Sequence, residues 1–186
     1  MKLALDRCEV RSWRHDDLAS LVRHADNRKI WLNLRDRFPH PYTTRDGRNF
    51  LRMATSQRPE TMFAISVSGE AVGGIGFQMM PDVERVSAEI GYWLGEAFWR
   101  RGIVTDALIG VTRYAIETHG FTRLFAMPFA SNQASCRVLE KAGYVLEGRL
   151  RRSAIKDGRI VDQMQYAFTA AEPAEADLAA DSATGE

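Results

Sequence analysis

The stretch from Ser87 to Ala107 narrows the fold more than any other part of the chain. It opens with an alternation in which Ala88, Ile90, Tyr92 and Leu94 fall on one face of a strand and Ser87, Glu89, Gly91 and Trp93 on the other. A basic, glycine-centred turn follows at Trp99-Arg100-Arg101-Gly102. Beyond it runs a helix whose apolar stripe passes through Val104, Ala107, Leu108, Val111, Ala115 and Ile116 and stops at His119-Gly120. A strand that enters a helix through such a turn builds a cradle for an anion. The first helical turn leaves backbone N–H groups without partners, and the aligned peptide dipoles favour negative charge there. Arg100 and Arg101 add cationic side chains, and Gly102 lets the backbone approach the anion closely.

The rest of the chain supplies elements of both kinds. Cys8 to Trp13 reads as a strand, and Asp16 or Asp17 caps a helix reaching about His24. Arg28 to Leu34 suggests another helical turn or two, and Arg35 to Pro41 is a loop broken by Pro39 and Pro41. Thr44 can cap a helix to about Ser56. Met62 to Val67 and Ala71 to Met79 form a hairpin across Ser68-Gly69-Glu70, before the strand from Val86 to Leu94. After the long helix come a short strand from Leu124 to Pro128 and a helix from about Asn132 to Gly143. Tyr144 to Ile155 and Arg159 to Phe168 close the chain as a hairpin over Lys156-Asp157-Gly158, where Asp-Gly signals a tight turn. Gly73-Gly74-Ile75-Gly76 lies inside a predicted strand with no helix after it. It is therefore no dinucleotide fingerprint, and its glycines read as sites of close backbone packing.

At 186 residues the chain makes one domain with a sizeable core, expected over residues 1–169. No apolar run approaches the length of a membrane span, and Asp6, Arg7 and Glu9 interrupt any signal-peptide pattern, so no membrane partner and a cytoplasmic location are expected. Cys8 and Cys136 lack both metal spacing and a disulfide framework, and His15, His24, His40 and His119 are scattered, so no metal is expected. Cys136 reads as a small buried hydrophobe rather than a nucleophile. From Ala170 the tail is alanine-rich and acidic with no Lys or Arg, and it is expected to be disordered. The formal net charge of +1 therefore hides a modestly basic body, suited to a polyanionic ligand. Scattered arginines without a recognised module argue against nucleic acid as a partner. A homodimer is compatible with the sequence, but no feature fixes it.

The second segment that bears on function is Asn132-Gln133-Ala134-Ser135-Cys136-Arg137-Val138-Leu139-Glu140-Lys141-Ala142-Gly143-Tyr144. With Ala88 to Leu94, the turn from Phe98 to Thr105 and Phe38-Pro39-His40-Pro41-Tyr42-Thr43, it resembles the acetyl-CoA-binding core of the GNAT superfamily of N-acetyltransferases, most closely the RimJ/RimL branch. The resemblance covers the chain to about Thr169. It implies a three-layer αβα fold of the α/β (α+β) class, with a mixed, mostly antiparallel central sheet. It also implies acetyl-CoA as co-substrate and direct transfer to a primary amine, either a protein N-terminus or a small molecule. The turn departs from the general family pattern at Trp99 and Val104, where Gln or Arg and Gly or Ala are common.

The resemblance assigns the pyrophosphate to Arg100, Arg101, Gly102, Ile103, Val104 and Thr105. It implies a splay of the strand ending at Leu94 from the strand beginning at Leu124, which frees backbone groups near Trp93 and Leu94 for the pantetheine arm and the thioester oxygen. Asn132 can both cap its helix and bind that arm. Ser135, on the same face, can protonate the leaving thiolate or be an ordinary polar residue of a first turn. Glu89 is the candidate base acting through water, and its alternative is an ion-paired strand carboxylate. By position, Trp31, Asn33, Arg37, Tyr42 and the hairpin from Arg149 to Arg159 could line the acceptor groove. No residue chooses among a ribosomal-protein N-terminus, another protein amine, and a small amine such as an antibiotic or amino acid. A non-catalytic acyl-CoA sensor on the same fold is the remaining alternative.

Overall fold

The computed structural model describes residues 1–171; the acidic tail expected to be disordered lies, from residue 172 on, outside the described residues. Strands β1 (Lys2–Ala4), β2 (Glu9–Ser12), β3 (Met62–Val67), β4 (Glu70–Met79), β5 (Ser87–Leu94), β6 (Arg123–Ala126), β7 (Val145–Lys156) and β8 (Arg159–Thr169) form one sheet. Its order is β1-β2-β3-β4-β5-β6-β8-β7. Every neighbouring pair is antiparallel except β5 and β6. Helices α1 (Leu18–Ala25), α2 (Arg28–Trp31) and α3 (Thr44–Ser56) precede the central strands. Helix α4 (Ile103–His119) is the β5–β6 crossover, and α5 (Gln133–Lys141) follows β6. This is the expected α/β architecture with a mixed, mostly antiparallel sheet.

Burial on both faces makes three layers. Ala88, Ile90 and Leu94 of β5 pack with Ala107, Leu108 and Val111 of α4 and Leu139 of α5 in one core. Trp13, Leu21, Leu51, Tyr42 and Ala64 form a second core on the opposite face, under α1 and α3. The glycines of β4 allow close approach between strands. A Cβ at Gly73 would fall 2.5 Å from the Trp93 carbonyl oxygen, and one at Gly76 2.5 Å from that of Thr61. Both tight hairpins turn through consecutive positive φ values, 51° and 86° at Ser68-Gly69 and 51° and 72° at Asp157-Gly158.

The structure adjusts several sequence expectations. The edge strand β1 is too short to be read from a pattern. Helix α3 is capped by Thr43, not Thr44. The Thr43 hydroxyl accepts from the Asp46 N–H at 3.3 Å while the Asp46 carboxylate accepts from the Thr43 N–H at 2.9 Å, a reciprocal capping box. Asp17 does not cap α1 with its side chain. Its carboxylate is buried and accepts from Arg11 at 2.7 and 2.8 Å and from the Arg14 N–H at 2.8 Å. A buried arginine needs such a partner, and this one takes precedence over the helix end.

Candidate active site

Strand β5 lies at the fork of the sheet. It pairs with β4 along its whole length, from Met79↔Ala88 to Gly73↔Leu94. With β6 it pairs only at Ser87↔Arg123, Ala88↔Leu124 and Glu89↔Phe125, and then the two strands part. Hydrogen bonds at the two ends fix which backbone groups face the gap. Met80 N–H donates to Ser87 O and Gly95 N–H to Val72 O, while Thr122 N–H donates to Val86 O. By alternation, Ser87, Glu89, Gly91 and Trp93 turn their peptide groups towards β4, and Ile90, Tyr92 and Leu94 turn theirs into the opening. Of the two backbone positions expected at the strand's end, Leu94 faces the gap and Trp93 does not. Tyr92 takes the place beside Leu94.

The turn after β5 is built by backbone conformation. A 3-10 turn (Glu96–Phe98) leads to Trp99, and the chain then passes through left-handed conformations at Arg100 (φ 62°) and Gly102 (φ 76°, ψ −1°). The first α4 hydrogen bond runs from Asp106 N–H to Gly102 O at 3.1 Å. The N–H groups of Ile103, Val104 and Thr105 precede it and meet no acceptor among the described residues. Trp99 departs from the family pattern for a local reason, since its indole Nε1 donates to Leu94 O at 2.7 Å and pins the turn to the strand end. Val104 packs against the main core. Arg7 braces the turn from outside, with Nη1 3.3 Å from Arg101 O and Nε 3.6 Å from Asp106 Oδ2.

The gap opens into a cleft of about 680 Å³, walled by β5 from Glu89 to Leu94, the turn from Arg100 to Thr105, Met127 to Phe129 and the face of α5. That volume suits a long organic ligand. At the start of α5 the Asn132 side-chain oxygen accepts from the Ser135 N–H at 3.1 Å, so Asn132 does cap the helix. The Ser135 hydroxyl lies 2.8 Å from the Tyr92 hydroxyl. Burial pushes the Tyr92 phenol well above its ordinary range, so it stays a neutral hydroxyl at any working pH. Sequence reasoning passed over Tyr92. The available signal was a tyrosine in register with buried Ile90 and Leu94, because a phenol turned towards a core needs a polar partner.

Glu89 sits at the last β5–β6 pair, on the Trp93 side of the strand, and its carboxylate is ion-paired with Arg35 from the loop after α2. Arg35 is the other residue the sequence did not reveal. Tyr92 and Ser135 belong to the α4–α5 side, so the two halves of the candidate chemistry meet through the fork rather than across one face. Asn33 and Arg35 line the cleft.

Other expected groove residues lie elsewhere. Tyr42 is buried in the second core, its ring tilted against that of Phe38 with centroids 4.9 Å apart. Arg37 reaches Gln78 at 3.4 Å. Trp31 lies under the Lys156 ammonium, 3.9 Å from the ring centroid. Arg149 pairs with Asp162, and the hairpin contributes Gln163 to the wall rather than its arginines. The hairpin tip is tied to the α2 region by Lys156–Asp36 and Arg28–Asp157 contacts, both 2.8 Å. Cys136 is buried with its thiol pushed up by burial, and Cys8 is pushed up to about 11, so neither is poised as a nucleophile. Among the described residues no His, Cys, Asp and Glu cluster could hold a metal ion, and no helix is long and apolar enough to cross a membrane.

Residues 7–145 match the family described as an acetyltransferase (GNAT) domain. The uncharacterized N-acetyltransferase YoaA of Bacillus subtilis is 35% identical over 99 residues, which are 53% of this chain and 55% of that protein. The ribosomal-protein-serine acetyltransferase of Escherichia coli is 29% identical over 106 residues, 57% of this chain and 59% of that protein. The matches thus span a little over half the length of these curated relatives. A GNAT-family acetyltransferase from Bacillus anthracis superposes with a TM-score of 0.79 at 20% identity, covering 91% of this chain and 98% of the other. Mycobacterium smegmatis RimJ, solved in complex with a CoA disulfide, superposes with a TM-score of 0.79 at 24% identity, covering 97% and 95%.

Proposed function

The chain belongs to the GNAT family of acetyltransferase domains, and from that membership we propose that it transfers the acetyl group of acetyl-CoA directly to a primary amine, foremost the α-amino group of a protein N-terminus. The observation that carries this reading is the fork between β5 and β6, which joins an open strand edge, the unpartnered amides of α4 and the Ser135–Tyr92 pair in one cleft. The donor set fits the co-substrate. The amides of Ile103, Val104 and Thr105, flanked by Arg100 and Arg101, suit a pyrophosphate. Tyr92 and Leu94 on the strand edge, with the Asn132 amide, suit an amide-bearing arm.

Acetyl-CoA supplies the acetyl group already activated as a thioester. The chain's own residues then orient it and manage protons. N–H groups on the open edge of β5 favour the oxyanion that develops when the amine attacks. Ser135 donates its proton to the departing sulfur, and Tyr92 fixes the orientation of the Ser135 hydroxyl. Glu89, acting through water, accepts the proton lost by the nitrogen, and solvent exchange balances the two transfers. The acceptor class follows from acid–base chemistry. A peptide α-amino group with a pKa of ~7.8 is about a tenth neutral at pH 7, whereas a lysine amine at ~10.4 costs about 3.5 kcal/mol more to deprotonate. A site whose one candidate base is held by an arginine suits the easier amine. The Escherichia coli relative, named for acetylating a ribosomal-protein serine, supports the same choice.

The test is mass spectrometry of the proteins and the small molecules of a cell extract after incubation with acetyl-CoA, comparing wild type with a Ser135→Ala/Glu89→Gln double variant. New N-terminal acetylation that depends on the intact pair supports the proposal. Acetyl-CoA binding without any acetylated product would replace it with the sensor reading, and acetylated small amines alone would move the acceptor.

A further inference from the structure

Six cationic side chains line the cleft: Lys29 and Arg35 from the α2 region, Arg100 and Arg101 from the turn, and Arg137 and Lys141 from α5. Lys29 and Arg35 are already ion-paired, with Glu96 and Glu89. Arg100 and Arg101 stand beside the open amides of α4, which together already match the charge of a pyrophosphate. Arg137 and Lys141 have no such assignment. They are one helical turn apart, so they share a face of α5 with Ala134 and Val138, which also wall the cleft. Neither is ion-paired with a carboxylate among the described residues. The adjacent Glu140 is turned away, accepting from the Tyr166 hydroxyl at 2.8 Å. Like charges spaced this way weakly oppose the helix, and an anion bridging them reverses the sign of that effect.

We propose that Arg137 and Lys141 form a seat for a dianionic phosphomonoester, separate from the pyrophosphate cradle. Its occupant, on the acetyl-CoA reading above, on which this inference rests, is the ribose 3′-phosphate of the coenzyme. The order of residues along α5 agrees with that placement. Asn132 and Ser135 stand at the reacting end, while Arg137 and Lys141 lie about 3 Å and about 9 Å farther along the axis than Ser135. A planar guanidinium and a mobile ammonium on one face can grip three phosphate oxygens together. The seat makes the chain selective for coenzyme A over its 3′-dephospho form, a discrimination that backbone amides at the turn cannot supply.

Calorimetric titration of coenzyme A and of 3′-dephospho-coenzyme A into the wild-type chain and into Arg137→Gln/Lys141→Gln tests this. Glutamine keeps the aliphatic stem and the helix propensity while removing charge. Wild type is expected to bind coenzyme A at least ~10-fold more tightly than the dephospho form. The double variant should bind both forms alike, with its affinity for the dephospho form unchanged within about twofold, which also reports an intact fold. Equal wild-type affinities for the two forms would overturn the seat. So would a variant that weakens both forms equally, because its cations would then serve the pyrophosphate or the general field of the cleft, including attraction of an acidic acceptor. If wild type binds neither form, the acetyl-CoA reading itself fails, and the seat with it.

Discussion

The two walls of the cleft are made of different material. The wall from Leu94 to Thr105 presents peptide groups held in place by Gly102, by the left-handed Arg100 and by the Trp99 indole on Leu94 O. The opposing wall presents side chains held by ion pairs between distant parts of the chain. Arg35 reaches Glu89 across 54 positions, and Lys29 reaches Glu96 across 67. A backbone-built wall depends on conformation and tolerates changes of side chain. A wall of ion pairs can change its specificity through one substitution, because each charge is held by only one or two contacts. One fold can thus keep a donor site constant while its acceptor site varies.

Ser135, where the walls meet, gives the largest expected effect. Ser135→Ala removes the proton donor and should lower kcat by ~10²-fold with little change in acetyl-CoA affinity, in line with general acid catalysis. A loss confined to affinity would reduce Ser135 to a binding contact. The comparison of walls is tested most directly at the turn. Gly102→Val forces a β-branched residue to φ 76° and brings its Cβ within 3.0 Å of Arg7 Nε. A left-handed non-glycine residue costs about 1–2 kcal/mol, so acetyl-CoA affinity should fall ~10–30-fold as the turn shifts. Arg100→Ala and Arg101→Ala leave the amides in place and should each cost only ~3-fold, shrinking further in high salt. Titration calorimetry ranks them. If the arginine variants lose more than Gly102→Val, the donor wall is made of side chains after all.

Tyr92→Phe probes the joint between the walls with a smaller effect than Ser135→Ala. It removes the hydroxyl 2.8 Å from Ser135 Oγ but leaves the ring in its packing. Kcat should fall by up to ~10-fold while KM for acetyl-CoA holds, because the proton donor remains but is less well oriented. A changed KM with unchanged kcat would make Tyr92 part of the binding surface instead.

The same contrast explains what the sequence could reveal. Strand alternation at Ala88 to Leu94, the Gly102 turn, the α4 stripe and the Asn132 cap are local, so each is written within about one helical turn of where it acts. The Asp157-Gly158 hairpin was legible for the same reason. The β5–β6 fork is not local, since it is a relation between strands paired 36 positions apart, as at Ser87↔Arg123; only the family resemblance pointed to it. Tyr92 was visible as a face assignment but not as a partner of Ser135, 43 positions away. The acceptor side was least legible. Trp31 and Tyr42 look like groove aromatics in sequence, yet one supports Lys156 and the other is core. Glu89 is ion-paired and also lines the cleft, so both roles weighed for it stay in play, and its partner Arg35 was hidden in a loop.

Glu89→Gln gives the smallest expected effect with the proposed substrate, and it separates the roles of the two walls most finely. Glutamine can still accept from Arg35, so the fork and the Arg35 loop should stay in place while the base is lost. With a peptide N-terminal amine the reaction at pH 7 should slow by only about threefold, because about a tenth of that amine is already neutral. Raising the pH to ~8.5 makes most of the amine neutral, so the variant should gain on wild type and approach it. With a lysine-type amine almost none is neutral at either pH, and the variant should remain ~10²-fold slower throughout. The check is a pH profile of kcat/KM for both amines with both proteins. A pH-independent collapse with the peptide amine would mean that Glu89 orders the Arg35 loop rather than accepting a proton, and the acceptor wall would then be a scaffold whose chemistry lies elsewhere.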